Sequence, residues 1–287
     1  MKPPLFEYHD PGSVDEALAL LAEHGDEAKV LAGGQSLVPL LNFRLARPER
    51  LVDVNGLNEL AYLRTDDGVL RIGALTRHAA LERSKEAAAR VPLLGEAVAL
   101  VGHVQIRNRG TVGGSVAHAD PAAELPVAFS ALDARYRVRS TRGERVVGSD
   151  EMFITHLTTS LEPDELLTEI EVPVPPARTG FAFVEFARRH GDFALGGAAV
   201  LVTLDDAGVC TRARIALLAA APTPVRARET EEWLTGLRLD PPAMGEAAAR
   251  AVAGIHPTSD IHGGTEYRRA LVEALVRRAL AQATERA

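Results

Sequence analysis

Two stretches of this chain carry glycine pairs that could hold a diphosphate: Leu31-Ala32-Gly33-Gly34-Gln35-Ser36-Leu37, and Arg109-Gly110-Thr111-Val112-Gly113-Gly114-Ser115. Glycine allows positive φ, and without a Cβ nothing holds an anion away from the main-chain N–H groups. Each N–H bonded to a charged oxygen contributes about 1.5–3 kcal/mol, so three or four donors would carry much of the binding. One glycine pair is usually an ordinary turn. Two pairs far apart in sequence could clamp one diphosphate from opposite sides. Neither matches G-x-G-x-x-G or G-x-x-x-x-G-K-[ST], which argues against a Rossmann dinucleotide fold and a P-loop NTPase.

The elements around them would have to position both bends. A short strand over 29–31 leads into the first bend, Ser36 is placed to N-cap the following helix, and Pro39 falls in its first turn, where a missing N–H costs nothing. Lys29 could lend positive charge to a diphosphate, or be a plain surface lysine. With the strand over 51–54 this makes a β-α-β piece, preceded by a helix that opens on the capping box Ser13 to Glu16 and stops at Gly25. Asp66-Asp67-Gly68 marks a hairpin, Thr76 can cap a helix over 79–82, and Pro92 can start another. An alanine-rich helix over about 122–132 follows the second bend, its partial positive charge facing back toward the glycines. Strands over 136–139, 145–147 and 166–172 complete a mixed α+β unit.

Pro173, Pro175 and Pro176 are the proline-dense segment, and a domain boundary is expected there. Beyond it, strands over 181–187, 198–204 and 209–217 read as an antiparallel sheet. Helices then start at Thr223-Pro224, run over 242–252, and run over 266–283, the last with Leu271 and Leu275 on an apolar face against Arg268 and Arg277.

Composition narrows the chemistry. With 287 residues, 46% of them hydrophobic, the chain can form two or three domains with real cores. Its net charge of −7 leaves no electrostatic footprint for nucleic acid. With no signal-peptide core at the N-terminus and no apolar run of membrane-spanning length, a cytoplasmic location is expected. Cys210 is the one cysteine, so the chain cannot build a disulfide, a cysteine-rich zinc site or an iron–sulfur cluster alone. Electrons handled here would leave a bound organic cofactor for a diffusible acceptor or another polypeptide. Cys210 itself reads as a small packing residue. His118 and Asp120 offer two ligand types where a metal needs three or more, so no metal is expected. Ser/His/Asp and Cys/His sets are not legible, and nucleophilic hydrolysis has no support.

The two bends, with Gln105-Ile-Arg-Asn-Arg109, Ala117-His-Ala-Asp-Pro121, the segment from Phe186 to Ala194 and Gly264-Thr-Glu-Tyr-Arg-Arg269, resemble in order the FAD-binding medium subunit of the molybdenum hydroxylase and xanthine dehydrogenase family. Within that family the medium chain of aerobic carbon monoxide dehydrogenase is the nearest pattern. The resemblance implies an α+β fold: a two-part FAD-binding domain of the PCMH, vanillyl-alcohol-oxidase-like type over 1–57 and 58–175, and a C-terminal domain over 176–287 with a three-stranded antiparallel sheet and helices. It implies FAD held at the diphosphate by Ala32, Gly33, Gly34, Gln35 and Ser36 with Leu37, and by Thr111, Gly113, Gly114 and Ser115. Ala117 and Asp120 would run beside the cofactor, Glu124 would be an acid near it, and Leu161 and Phe193 would lie at the flavin ring. Arg107 and Arg109 would offset diphosphate charge or serve as salt-bridged structure. Many relatives carry tyrosine where Phe193 stands, so stacking is kept and a hydroxyl lost; Glu185 stands where a lysine is expected.

The implied activity is oxidoreductase electron transfer, from the [2Fe–2S] clusters of a small subunit through FAD to an external acceptor, beside a large molybdopterin subunit that oxidises the substrate. The implied assembly is a dimer of heterotrimers. Flavin chemistry needs no side-chain nucleophile, so no catalytic residue is expected. The chain lacks the cysteines of those relatives whose flavin subunit holds an additional cluster. Two other readings stay open: a free-standing flavin reductase or oxidase, and an assembly subunit without flavin.

Overall fold

The computed structural model describes residues 2–287. Its first unit is a parallel sheet of β1 (Glu7–His9), β2 (Ala28–Leu31) and β3 (Arg50–Asp53) in the order β1-β3-β2, crossed by α1 (Val14–His24) and α2 (Leu37–Asn42). Ser13 caps α1 by accepting the Glu16 N–H, the Glu16 carboxylate turns back to the Gly12 N–H, and Gly25 ends the helix at φ +50°. Val14, Ala17, Leu18 and Leu21 form the buried stripe, as the 3.6-residue period requires. Strand β1 was not legible, because three residues are too few to show an alternation. Ser36 adopts a helical backbone and caps nothing with its side chain.

The middle unit opens with the expected hairpin, β4 (Leu63–Asp66) and β5 (Val69–Gly73), turning through Asp67 and Gly68 at positive φ. Six short helices follow: α3 (His78–Glu82), α4 (Lys85–Arg90), α5 (Pro92–Leu100), α6 (Val104–Arg109), α7 (Val112–His118) and α8 (Glu124–Ala131). Then come β6 (Arg135–Ser140), β7 (Gly143–Gly148), α9 (Ser149–Met152), β8 (Phe153–Thr155), β9 (Thr158–Thr159) and β10 (Leu166–Pro173). The five-stranded antiparallel sheet runs β4-β5-β10-β6-β7. Thr76 does not cap α3; its hydroxyl donates to the Tyr62 carbonyl. Helix α8 is buried at every position. A helix apolar on all sides belongs inside, and here it lies between the middle unit and the sheet that follows.

That sheet is antiparallel, β11 (Thr179–Phe186), β12 (Gly196–Leu204) and β13 (Cys210–Leu218), with a fourth, two-residue strand β14 (Val225–Arg226) beyond the three expected. Pairing of Val225 and Arg226 with Leu217 and Ala216 delays the helix expected at Thr223, so α10 spans Arg228–Leu234. The period-2 alternation divides the sheet cleanly. Phe183, Ala199, Leu201, Ala216 and Leu218 join the core of the middle unit, while Ala182, Ala198, Val200, Ile215 and Leu217 pack under α10, α11 (Pro241–Ala251) and α12 (Thr265–Glu285). Cys210 is fully buried in the second set. Arg268 is not on an exposed face: it is buried and donates to the Leu195 carbonyl and to Asp260. Among the described residues no helix is long and apolar enough to cross a membrane.

Phe129, on α8, is fully buried and meets the Tyr136 ring edge-on at 6.4 Å. Phe129→Ala is expected to lower stability by about 3–5 kcal/mol through the cavity it leaves, read as a shifted denaturation midpoint, while Val146→Ala on the exposed strand β7 stays within about 0.5 kcal/mol of the parent.

Candidate functional site

The two glycine bends meet. A Cβ on Gly33 would lie 2.5 Å from the Arg109 carbonyl oxygen and 2.7 Å from the Gly110 Cα, so the bends touch backbone to backbone at a point where a side chain has no room. On the same wall, a Cβ on Gly114 would lie 3.9 Å from the Ala32 Cβ. Each unit delivers its bend from a fixed element. The first follows β2 and turns at Gly34, φ +73°, before α2; the second lies between the end of α6 and the start of α7.

Two residues that the sequence reading missed tie these bends together. The Asn55 amide donates to the Ala32 carbonyl at 2.6 Å and to Asp53, and its oxygen accepts from Arg77 at 2.7 Å. Arg77 also donates to the Arg109 carbonyl, completing a bridge from one bend to the other. Burial first, and the like charge of Arg109 second, lower the proton affinity of the Arg77 guanidinium. Burial would raise the pKa of Asp53, but hydrogen bonds from Asn55 and from the Tyr8 hydroxyl, with the charge of Arg109, hold it below the usual carboxylate range. Asn55-Gly56 had only the look of a turn after a strand, and nothing around Arg77 marks it.

The bends differ in what they can offer an anion. Among the described residues, the N–H groups of Gly33, Gly34, Gln35 and Ser36 reach no protein acceptor. Four unclaimed donors in one bend are what a diphosphate requires. In the second bend the main-chain donors expected from sequence are already engaged: Val112 with the Thr76 carbonyl, Gly113 with the Ala74 carbonyl, Gly114 with the Thr111 hydroxyl and Ser115 with the Thr111 carbonyl. This stretch is the capped start of α7 rather than an open turn. Gly113 answers a packing demand, since its Cβ would lie 2.6 Å from that of Ala74. The second bend therefore supplies a wall and a helix start.

The other expected residues fall in three places. Lys29, exposed on β2, lies near enough to His118 to lower its proton affinity, which burial has already reduced and which Asp120, 4.0 Å away, partly restores. Ala117 is exposed on α7, and Asp120 accepts the Ala122 N–H beyond it. Leu37 begins α2 half-buried. Leu161 packs half-buried against the main core, and Glu124 is buried at the start of α8, its pKa pushed up to about 8 by burial and the nearby charges of Glu185 and Asp120. Phe193 stands in the β11–β12 connection with 73% of its surface exposed, so it is not a core phenylalanine. Arg107 is structural, forked onto Glu82 at 2.8 and 3.1 Å and bonded to the Val101 and Gly102 carbonyls. Arg109 remains exposed beside the bends.

His78 fixes the second bend from below. It is buried, its Nε2 is 2.9 Å from the Thr111 carbonyl, and its Nδ1 has no partner. The contact needs a proton on Nε2, which in the neutral ring is the Nε2–H tautomer. Burial pushes its pKa down to about 4, against the gain from the Thr111 bond.

Comparison with known proteins gives a consistent pattern. Residues 4–175 match the model of an FAD binding domain in molybdopterin dehydrogenase, and residues 181–283 that of a CO dehydrogenase flavoprotein C-terminal domain. The chain is 50% identical to the 6-hydroxypseudooxynicotine dehydrogenase complex subunit alpha of Paenarthrobacter nicotinovorans, covering 100% of this chain and 97% of that one. It is 43% identical to caffeine dehydrogenase subunit beta of Pseudomonas sp. (strain CBB1), with the same coverage. A chain of the reconstituted CO dehydrogenase from Oligotropha carboxidovorans superposes with a TM-score of 0.98 at 40% identity, each chain covered completely.

Two outcomes test the site. Gly33→Ala is expected to abolish retention of a diphosphate cofactor while circular dichroism stays native, because the Cβ separates the bends without entering a core. His78 is depressed from 6.5 to about 4 in the fold, so its contribution is present above pH 6.5 and is lost as pH falls toward 4. That loss amounts to roughly 3 kcal/mol. His78→Gln, which keeps a donor for Thr111 and cannot ionise, should flatten this acid limb in thermal melts.

Proposed function

The chain belongs to the FAD-binding medium subunits of the molybdenum hydroxylases, and from that premise we propose how its residues serve electron transfer from a partner chain's clusters to an external acceptor. The observation that carries the reading is the set of four unclaimed N–H groups from Gly33 to Ser36, in a bend that touches the backbone of Arg109 and Gly110 and is tied to it by Asn55 and Arg77.

FAD, when bound, supplies the electron chemistry, taking and releasing electrons that side chains cannot hold. The chain's contribution is position and environment. Gly33, Gly34, Gln35 and Ser36 bind the diphosphate through their N–H groups, with Thr111, Gly114 and Ser115 opposite and Lys29, Arg77 and Arg109 offsetting its charge. Gly113 serves by letting α7 approach Ala74. Ala117, Asp120 and Glu124 line the path beyond the diphosphate. Leu161 and Phe193 would lie at the flavin ring, where the exposed phenyl group of Phe193 would offer an apolar face and no hydroxyl to donate.

The partners follow from the division of labour. Relatives are named as subunits of larger dehydrogenases, and we assign this chain a large molybdopterin subunit and a small subunit with two [2Fe–2S] clusters, assembled as a dimer of heterotrimers. Substrate choice lies with the large subunit, and the three parts 1–57, 58–175 and 176–287 serve as two halves of the FAD site and a covering domain.

Purified with its neighbours, the protein should show flavin bands in the visible spectrum that disappear in a Gly33→Asp, Gly114→Asp double variant. On adding substrate to the assembly, the clusters should reduce in both forms, and only the parent should pass electrons to a dye acceptor. Full turnover by the isolated chain would replace the subunit reading with a free-standing reductase.

A further inference from the structure

The motif Gly264-Thr-Glu-Tyr-Arg-Arg269, which opens α12, buries an arginine far from the two bends in sequence. The Arg268 guanidinium spreads over three acceptors: the Leu195 carbonyl at 3.2 Å, the Asp260 carboxylate at 2.7 Å and the Gly263 carbonyl at 3.4 Å. Its side chain is 8% exposed, against 45% for its counter-ion Asp260. The turn that holds Asp260 closes on itself, the carboxylate accepting the His262 and Gly263 N–H groups. Arg268 therefore joins a closed turn before α12 to the last residue before β12.

Leu195 is the return end of the β11–β12 connection, residues 187–195, on which Phe193 stands. Among the described residues, the other hydrogen bonds of that connection are local: the Leu195 N–H to the Phe186 carbonyl and the Asp192 N–H to the Arg189 carbonyl, beside the Arg188–Asp192 ion pair at 3.3 Å. The bond from Arg268 is the one that reaches it from an element outside the sheet. Burying a guanidinium costs more than burying an apolar side chain of like volume, so stability alone gives no reason for an arginine here. A planar fork that engages several acceptors in fixed directions suits positioning instead.

We propose that Arg268 is a positioning residue for the ring at 193: by holding the Leu195 carbonyl, it fixes the direction in which the connection presents Phe193. The proposal rests on the reading above that Phe193 lies at the flavin. The strands fix where the connection leaves and returns. Ala194 and Leu195 are buried, so Phe193 is the exposed residue at the edge of a fastened segment. Among the described residues, the Leu195 carbonyl has no partner besides Arg268. Without the guanidinium, that carbonyl loses its bond and the segment from Arg188 to Phe193 opens more often.

The test uses the full chain loaded with FAD. Arg268→Met should keep the native circular dichroism and raise the rate of tryptic cleavage after Arg188 and Arg189, both exposed on the connection, by at least about fivefold. Phe193→Trp puts an indole where contact with the flavin quenches its emission. Adding Arg268→Met should restore that emission several-fold, while Arg268→Met without the indole leaves it unchanged. Unchanged cleavage, quenching that survives Arg268→Met, or an emission change that does not need the indole would each overturn the proposal. An indole that never quenches would overturn the placement of Phe193 at the flavin and the proposal with it. Should Arg268→Met fail to fold, Asp260→Asn decides: it keeps an acceptor for the His262 and Gly263 N–H groups, removes the charge that holds the guanidinium, and should produce the same two changes.

Discussion

The contact that constrains this structure most is the approach of Gly33 to the backbone of Arg109 and Gly110. Two units with separate sheets put main chain against main chain, at a distance that leaves no space for a methyl group. Such an approach cannot be held by side-chain packing at the point of contact, because there are no side chains there. It is held from both flanks instead: Asn55 and Arg77 bridge the carbonyls of Ala32 and Arg109, and His78 anchors Thr111 from within. A single hydrogen bond of this kind contributes about 1 kcal/mol net, more where a charge takes part. Several acting on two short bends fix both main chains relative to one another, so that little ordering remains to be done when an anion arrives.

How a protein of net charge −7 binds a diphosphate follows from the same arrangement. The number of arginines is no guide, since most serve elsewhere. Arg71 and Arg137 neutralise Glu169 and Glu171 on the five-stranded sheet, and Arg226 lies buried between Asp133 and Glu231 at the junction with the C-terminal sheet. Arg107, two residues from the bend, is fully occupied by Glu82. The positive potential available at the bends is local: unclaimed N–H dipoles, with Arg77 and Arg109 beside them. Fixed dipoles lose no freedom on binding, whereas a ring of flexible lysines would have to be ordered first.

What could be read from sequence divides along physical lines. The capping box at Ser13, the stop at Gly25, the Asp67-Gly68 hairpin, the proline start of α5 and the three long C-terminal strands are local patterns, and all of them are found in the fold. Both bends were legible from their glycine pairs, yet their roles were not equally so. Gly113 and Gly33 look alike in sequence, and only the neighbours show that one admits Ala74, just past β5, and the other a backbone from a different unit. Asn55 and Arg77 were not legible, because a bridge from side chain to a distant carbonyl leaves no spacing rule behind. Short elements such as β1 and β14 lacked the length to show a period, and the helical character of α7 was hidden by the glycines that begin it.

The far end of the proposed site obeys a different rule from the diphosphate end. Around the bends, substitution collides with backbone; around Phe193 it meets little but solvent, since that ring is 73% exposed and contributes nothing to either core. The connection that carries Phe193 is fastened at its base, by the Leu195 N–H on the Phe186 carbonyl, and Gly191 lies against the ring of His103, the residue before α6. Its position is thus set by the sheet, while its identity is free of the fold. A tyrosine or a phenylalanine there would leave stability alone and change only what the ring can offer a neighbour. Within one architecture, then, the bends are bound to the fold by steric necessity, while the ring at position 193 can change by a single substitution that the fold does not register.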